Sequence, residues 1–153
     1  MNYKSNNFKN LGRISQVPNQ PDPKILEKVI NPKIKIKYCI RLTCPEFTSI
    51  CPITGQPDFA QILIDYIPSR YIVESKSFKL YLQSYRNHGA FHEDCTITIA
   101  EHLEKLLKPS WIRIAAYWFP RGGIPIDIFW QNTKQPKDVC ILELKGKEYR
   151  GRH

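Results

Sequence analysis

No stretch of this 153-residue chain stays apolar for long enough to cross a membrane. Met1 to Gly12 is polar and carries no apolar leader segment, so no export signal is expected and the cytoplasm is the expected compartment. Glycine is scarce, and no Gly-x-Gly-x-x-Gly run occurs, which excludes a Rossmann-type grip on a dinucleotide. A His-Glu-x-x-His pair and a Walker loop are both missing, which removes zinc-protease and P-loop chemistry. The five cysteines, Cys39, Cys44, Cys51, Cys95 and Cys140, include no Cys-x-x-Cys pair, so no metal site is expected. Their odd number argues for free thiols rather than a disulfide framework.

The net charge of +9 is unevenly placed. Residues 1–37 hold eight Lys and Arg against two acids, residues 131–153 hold six against three, and residues 38–130 are balanced at nine against nine. The excess therefore lies in the two flanks, read here as solvated basic ends and not as a nucleic-acid footprint, which would be expected as a patch on the folded core. The divisions expected are an N-terminal arm at 1–32, a folded domain at 33–130 and a basic tail at 131–153.

The hydropathy pattern predicts an α+β domain. From Lys33 to Leu42 apolar and polar residues alternate as in a half-buried strand. Thr43 to Pro57, with three prolines and one glycine, reads as a loop, and Asp58 to Ile67 as a second strand. Residues 24–31 read as one short helical turn. Phe78, Tyr81, Leu82 and Tyr85 fit one face of a helix over Ser75 to Asn87, capped by Ser75 or Ser77 and stopped at Asn87-His-Gly89, whose glycine is free to take a positive φ. Cys95, Ile99, Leu103 and Leu106 fit a second helix from His92 to Lys108, with Glu93 and Asp94 at its positive end. Trp111 to Phe119 and Ile124 to Trp130 form a hairpin around Pro120-Arg-Gly-Gly123, and Val139 to Leu144 is a possible extra strand. The order is β-β-α-α-β-β, with an antiparallel sheet and two helices on one face.

Four segments carry chemistry. In the loop Cys44 to Asp58, a turn can bring Cys51 back toward Asp58, pairing a thiol nucleophile with a carboxylate that moves its proton. In Glu74-Ser-Lys-Ser-Phe-Lys-Leu-Tyr81, Lys76 and Lys79 lie three apart near a helix start and suit phosphate. In Phe91-His-Glu-Asp94, Glu93 can accept two parallel hydrogen bonds from a guanine-like edge. In Phe119-Pro-Arg-Gly-Gly123, Arg121 stands beside two residues that let a phosphate approach the backbone. Each segment alone also has an ordinary structural reading: a packed cysteine, a capped amphipathic helix, a helix-dipole glutamate, a glycine turn.

Taken in order, these segments resemble the QueF family of NADPH-dependent 7-cyano-7-deazaguanine reductases, from about Lys37 to Asp127. Thr48-Ser-Ile-Cys-Pro-Ile-Thr-Gly-Gln-Pro-Asp58 is similar to the family's nucleophile loop and Glu74 to Tyr81 to its signature segment. The chain departs from the family pattern after Asp127, where it reads Ile128-Phe-Trp130. The resemblance implies a tunnelling fold (T-fold), in which sheets of neighbouring subunits join into a barrel, and a homo-oligomer, a decamer, with active sites between subunits. It implies reduction of the nitrile of 7-cyano-7-deazaguanine to 7-aminomethyl-7-deazaguanine, in the queuosine tRNA modification pathway, with NADPH as cofactor. Cys51 and Asp58 are then catalytic, by way of a thioimide on Cys51. Val73, Glu74, Ser75, His92 and Glu93 bind the base, and Lys76, Lys79 and Arg121 meet the cofactor phosphates. No membrane and no direct nucleic-acid partner is implied. Two rival readings remain at this point: a zinc-dependent cyclohydrolase-like enzyme on the same fold, and a non-catalytic RNA-binding module.

Overall fold

The computed structural model describes residues 20–144. The ends of the basic flanks, 1–19 and 145–153, lie outside the described residues. A short 3-10 turn at Pro23–Ile25 leads into β1 (Lys28–Ile30), followed by β2 (Ile40–Ile50), β3 (Pro57–Ile67), β4 (Tyr71–Val73), α1 (Ser75–Gln83), α2 (His92–Leu107), β5 (Trp111–Arg121) and β6 (Ile124–Gln131). The short helical turn expected at 24–31 is a 3-10 turn at Pro23–Ile25, and the rest of that stretch holds a strand, Lys28–Ile30. β2, β3, β5 and β6 form one antiparallel sheet in that order, and β1 pairs with β4 in a separate two-stranded ribbon. The α+β class and the β-β-α-α-β-β order of the sequence reading hold for the main sheet and its helices.

Period-two alternation builds the core. Ala60, Ile62, Ile64 and Tyr66 of β3, with Ile112, Ile114, Ala116 and Trp118 of β5, turn to one face of the sheet. Over that face lie the predicted stripes of the helices: Phe78, Tyr81, Leu82 and Tyr85 from α1 and its C-terminal extension, and Cys95, Ile99 and Leu103 from α2. Tyr81 ties the two helices together, its hydroxyl 2.8 Å from that of Tyr85 and 2.7 Å from His102 Nδ1.

The opposite face holds a buried charge. Asp65 accepts from Arg41 on β2 (2.7 and 2.8 Å) and from Arg113 Nε on β5 (2.8 Å), and is 1% exposed. Both arginines also donate to the carbonyl of Leu142, so the chain after β6 crosses this face. Residues 139–144 are therefore not a strand: their carbonyl at Leu142 is taken by side chains, and they form no ladder.

Further expectations shift. The first strand is not Lys33 to Leu42 but Ile40–Ile50, because β3 supplies partners only from Ile40 (opposite Tyr66) onward. Ile34 and Ile36, more than half exposed, keep their alternation without a strand to join. Of the segment read as a proline loop, the loop is confined to 51–56, and Thr43 to Ile50 is the far half of β2. Its register shifts between Cys44 and Phe47, so Pro45 sits in an irregularity at the sheet edge where its missing N–H breaks no ladder bond. α1 ends at Gln83 and not at Asn87, and Gly89 has no positive φ. Its neighbours instead stitch this segment to β2: Ile50 N donates to His88 O (3.1 Å) and Ala90 N to Ile50 O (3.2 Å).

Candidate active site

That stitch sets the site. Cys51 follows Ile50 directly, and His92 follows Ala90 by two residues, so the bridge holds the turn after Cys51 against the start of α2. The loop itself folds back tightly. Cys51 N donates to Gln56 O (2.8 Å), and Gly55 N to Cys51 O (3.0 Å), with Gly55 at φ 69° where a side chain would be strained. The turn aims Thr54 N at Cys51 Sγ, 3.4 Å away.

Cys51 is buried yet carries an easily ionised thiol, lowered from 9.0 to about 6. The Thr54 side chain contributes most, followed by the N–H groups of Thr54 and Ile53. Arg121 adds a smaller hydrogen bond, and burial opposes them all. These donors favour the thiolate, which is the reactive form of a cysteine. The contrast with Cys95 is clear: buried in the core on α2, its thiol is pushed up to about 12, chiefly by desolvation.

Asp58 opens β3 on the same face as Ala60 and Ile62, which puts its carboxylate under the helix layer, 5% exposed. Arg121 Nε donates to its Oδ1 (2.6 Å) and Arg121 Nη2 to its Oδ2 (2.5 Å). The guanidinium comes from the end of β5, beside Gly122 and Gly123, both at positive φ. His92 Nε2 lies 3.3 Å from Asp58 Oδ2, and the His92 ring stacks on the indole of Trp118, centroids 4.0 Å apart and planes 7° from parallel. Asp58, His92, Glu93 and Arg121, with Pro52 from the turn after Cys51, line a cavity of about 150 Å³.

The structure therefore gathers Cys51, Asp58, His92, Glu93 and Arg121, which come from four separate places in the sequence. Val73, Glu74, Ser75, Lys76 and Lys79 stand together at the end of β4 and the start of α1 and do not line that cavity. Glu74 caps α1, accepting from Lys76 N (2.9 Å) and Ser77 N (2.7 Å), a task the sequence reading gave to Ser75 or Ser77. Ser77 instead donates to Glu74 O and accepts from Glu27 N. Lys79 lines a second cavity of about 390 Å³ between β2 and α1, with Glu46, Phe47 and Arg86 among its neighbours. Thr54 was missed by the sequence reading. The signal available was its place three residues after Cys51 in a Pro-x-x-Gly turn, the spacing at which a turn amide reaches back.

Among the described residues, no group of three or more His, Cys, Asp or Glu side chains is arranged as metal ligands would be, and no helix is long and apolar enough to cross a membrane.

Comparison with known proteins identifies the family of the chain. Residues 57–137 match the family profile described as QueF-like protein. A Brucella anthropi protein named NADPH-dependent 7-cyano-7-deazaguanine reductase is 57% identical over 145 residues, covering 95% of this chain and 94% of its own. A Brucella ovis protein of the same name is 56% identical over the same coverage. The crystal structure of the archaeosine synthase QueF-Like in the apo form superposes with a TM-score of 0.59 at 21% identity, over 64% of this chain and 96% of that one, a likeness of fold. With a matched profile running from β3 to just past β6, and relatives alike over nearly their whole length, this chain belongs to the QueF-like family.

Proposed function

We propose that this protein is an NADPH-dependent reductase that converts the nitrile of 7-cyano-7-deazaguanine to the primary amine of 7-aminomethyl-7-deazaguanine. The observation that carries the reading is a buried Cys51 of lowered pKa joined through Arg121 to a buried Asp58. The printed names of the relatives above support the substrate and the cofactor.

A nitrile carbon is electrophilic but slow to react. The Cys51 thiolate adds to it, forming a C–S bond and breaking one π bond of C≡N. The nitrogen takes a proton and a thioimide results. Asp58 is the group placed to relay that proton, with His92 Nε2 beside it. When bound, NADPH supplies the hydride for each of the two reductions. Between them the C–S bond breaks and the sulfur leaves as a thiolate, which its Thr54 and Ile53 donors stabilise again. Glu93, at the mouth of the cavity, suits the ring N–H and amine of the deazaguanine edge.

The donor set near α1 fits a phosphate-bearing cofactor. Lys79 and Arg86 put two cations on the wall of the larger cavity, and Lys76 lies one turn before Lys79. In this reading Val73, Glu74 and Ser75 of a neighbouring copy complete the base pocket, in a homo-oligomer with sites between subunits. The unpaired edges of β2 and β6 among the described residues suit a sheet that continues from one subunit to the next.

The test follows NADPH absorbance with 7-cyano-7-deazaguanine added. Turnover by the native chain and none by Cys51→Ala is expected. An active Cys51→Ala variant would remove the covalent step, and a native chain that never consumes NADPH would remove the reaction.

A further inference from the structure

His92 opens α2 without help from a side-chain cap, since Phe91 at the N-cap offers none. Its ring is nonetheless fixed. The side chain is 7% exposed, and Nε2 is buried and lies 3.3 Å from Asp58 Oδ2 without the alignment of a hydrogen bond. A buried imidazole with no hydrogen bond at that nitrogen would be expected to turn unless something else sets its plane.

Trp118 sets it. The indole lies parallel to the imidazole at 4.0 Å, and a flat stack restrains rotation of the smaller ring out of that plane. The indole is itself held at two points. Its Nε1 donates to Thr96 Oγ1 (3.2 Å), and Phe47 meets it edge-on at 5.7 Å and 89°. Thr96 Oγ1 in turn donates to the carbonyl of His92 (2.8 Å). The result is a closed circuit: Thr96 anchors the Trp118 ring and the His92 backbone together, and Trp118 orients the His92 side chain. All three residues are nearly or fully buried, and only one edge of the imidazole is turned toward the carboxylate.

We propose that Trp118, anchored by Thr96, is a positioning residue for the reduction: its indole face holds the His92 ring so that Nε2 is presented to Asp58 for proton relay. This rests on the reading of Cys51 and Asp58 as the reacting centre. It deepens that reading by assigning a role to two residues that touch neither the sulfur nor the carboxylate.

Two measurements on the full chain test it, one without substrate or cofactor. A ring stacked flat on an indole has its protons displaced to high field, so the His92 ring signals should be displaced in the native protein. Trp118→Leu should return them to ordinary positions, and Thr96→Val should reduce the displacement. In steady state, Thr96→Val, close in shape to the native residue, should lower kcat about tenfold with KM changed by less than about twofold, and Trp118→Phe should recover part of what Trp118→Leu loses. Thermal melting of each variant separates this from loss of fold, and Thr96→Val decides the matter if Trp118→Leu does not fold. A KM rise with unchanged kcat would give the stack to substrate binding and overturn the proposal, as would undisplaced His92 signals in the native protein. If the native chain reduces no nitrile, the reaction is wrong, and the ring signals still decide whether Trp118 orients His92.

Discussion

Arg121 grips Asp58 with two parallel hydrogen bonds, Nε to Oδ1 at 2.6 Å and Nη2 to Oδ2 at 2.5 Å, and also reaches Cys51. One half-exposed cation therefore joins the thiol and the carboxylate, although the two come from the end of one strand and the start of the next. A planar fork matches a carboxylate in a way an ammonium does not. Arg121→Lys should therefore keep the charge and lose the alignment. The expected result is a fall in kcat of about ten- to a hundredfold with the thiolate largely retained, because Arg121 is a minor contributor to the lowered thiol pKa. Steady-state kinetics beside thiol titration checks both halves.

Asp58→Asn should separate the steps. The amide cannot relay a proton, and general acid–base groups contribute roughly 10²- to 10⁴-fold. Turnover should fall by about that factor while Cys51 still reacts with alkylating reagents. A single-turnover assay that finds reduction at the native rate would remove Asp58 from the chemistry.

The Cys51 thiol gives a pH signature. Because its pKa is lowered to about 6, the thiolate forms as pH rises through that value and persists above it. Alkylation by iodoacetamide should climb mostly within about one unit of that midpoint and then level off. Cys95, pushed up to about 12, should stay unmodified throughout. Thr54→Val removes the largest stabilising contact and should move the midpoint toward the ordinary thiol value of about 8.5. Site-resolved mass spectrometry of the alkylated chain reads each cysteine separately.

Glu74→Ala leaves Lys76 N and Ser77 N without their acceptor and should cost about 1 kcal/mol of stability, as loss of a helix cap does. Glu74→Gln keeps an acceptor oxygen but loses the charge. If Glu74 of a neighbouring copy also meets the base, Gln should restore most of the stability while KM for the nitrile stays raised. Urea denaturation and KM measured on the same variants separate the two roles.

Asp65 offers a stability test remote from the chemistry. Asp65→Ala strands Arg41 and Arg113 on the sheet face beneath the Leu142 segment, and leaving buried charges unpaired costs on the order of 3 kcal/mol. Chemical denaturation should show that loss.

Much of the helical layer was legible because periodicity is a local signal. The stripe Phe78, Tyr81, Leu82, Tyr85 landed in the core, as did Cys95, Ile99 and Leu103 of the second stripe, whose fourth member, Leu106, is only partly buried against it. The first strand was misplaced because alternation records which residues could face a core and not where a partner strand begins. Ile34 and Ile36 alternate well and pair with nothing among the described residues, whereas Phe47 to Ile50, hidden behind Pro45, pair with Pro57 to Ala60. The cap of α1 was misassigned for a related reason. Serine is the commoner cap by type, but here Glu74 reaches two amides at once.

The sequence by itself determined the components: a cysteine in a tight turn, a carboxylate at a strand start, an acidic helix entrance, an arginine beside paired glycines, and the alternations that make an α+β core. Only the tertiary structure decided which of these meet. The Ile50–Gly89 bridge, the β3–β5 register and the stack of His92 on Trp118 join residues far apart in the chain, and it is packing, not local propensity, that lines one small cavity with a carboxylate, an imidazole and a guanidinium and sets the turn after Cys51 beside them.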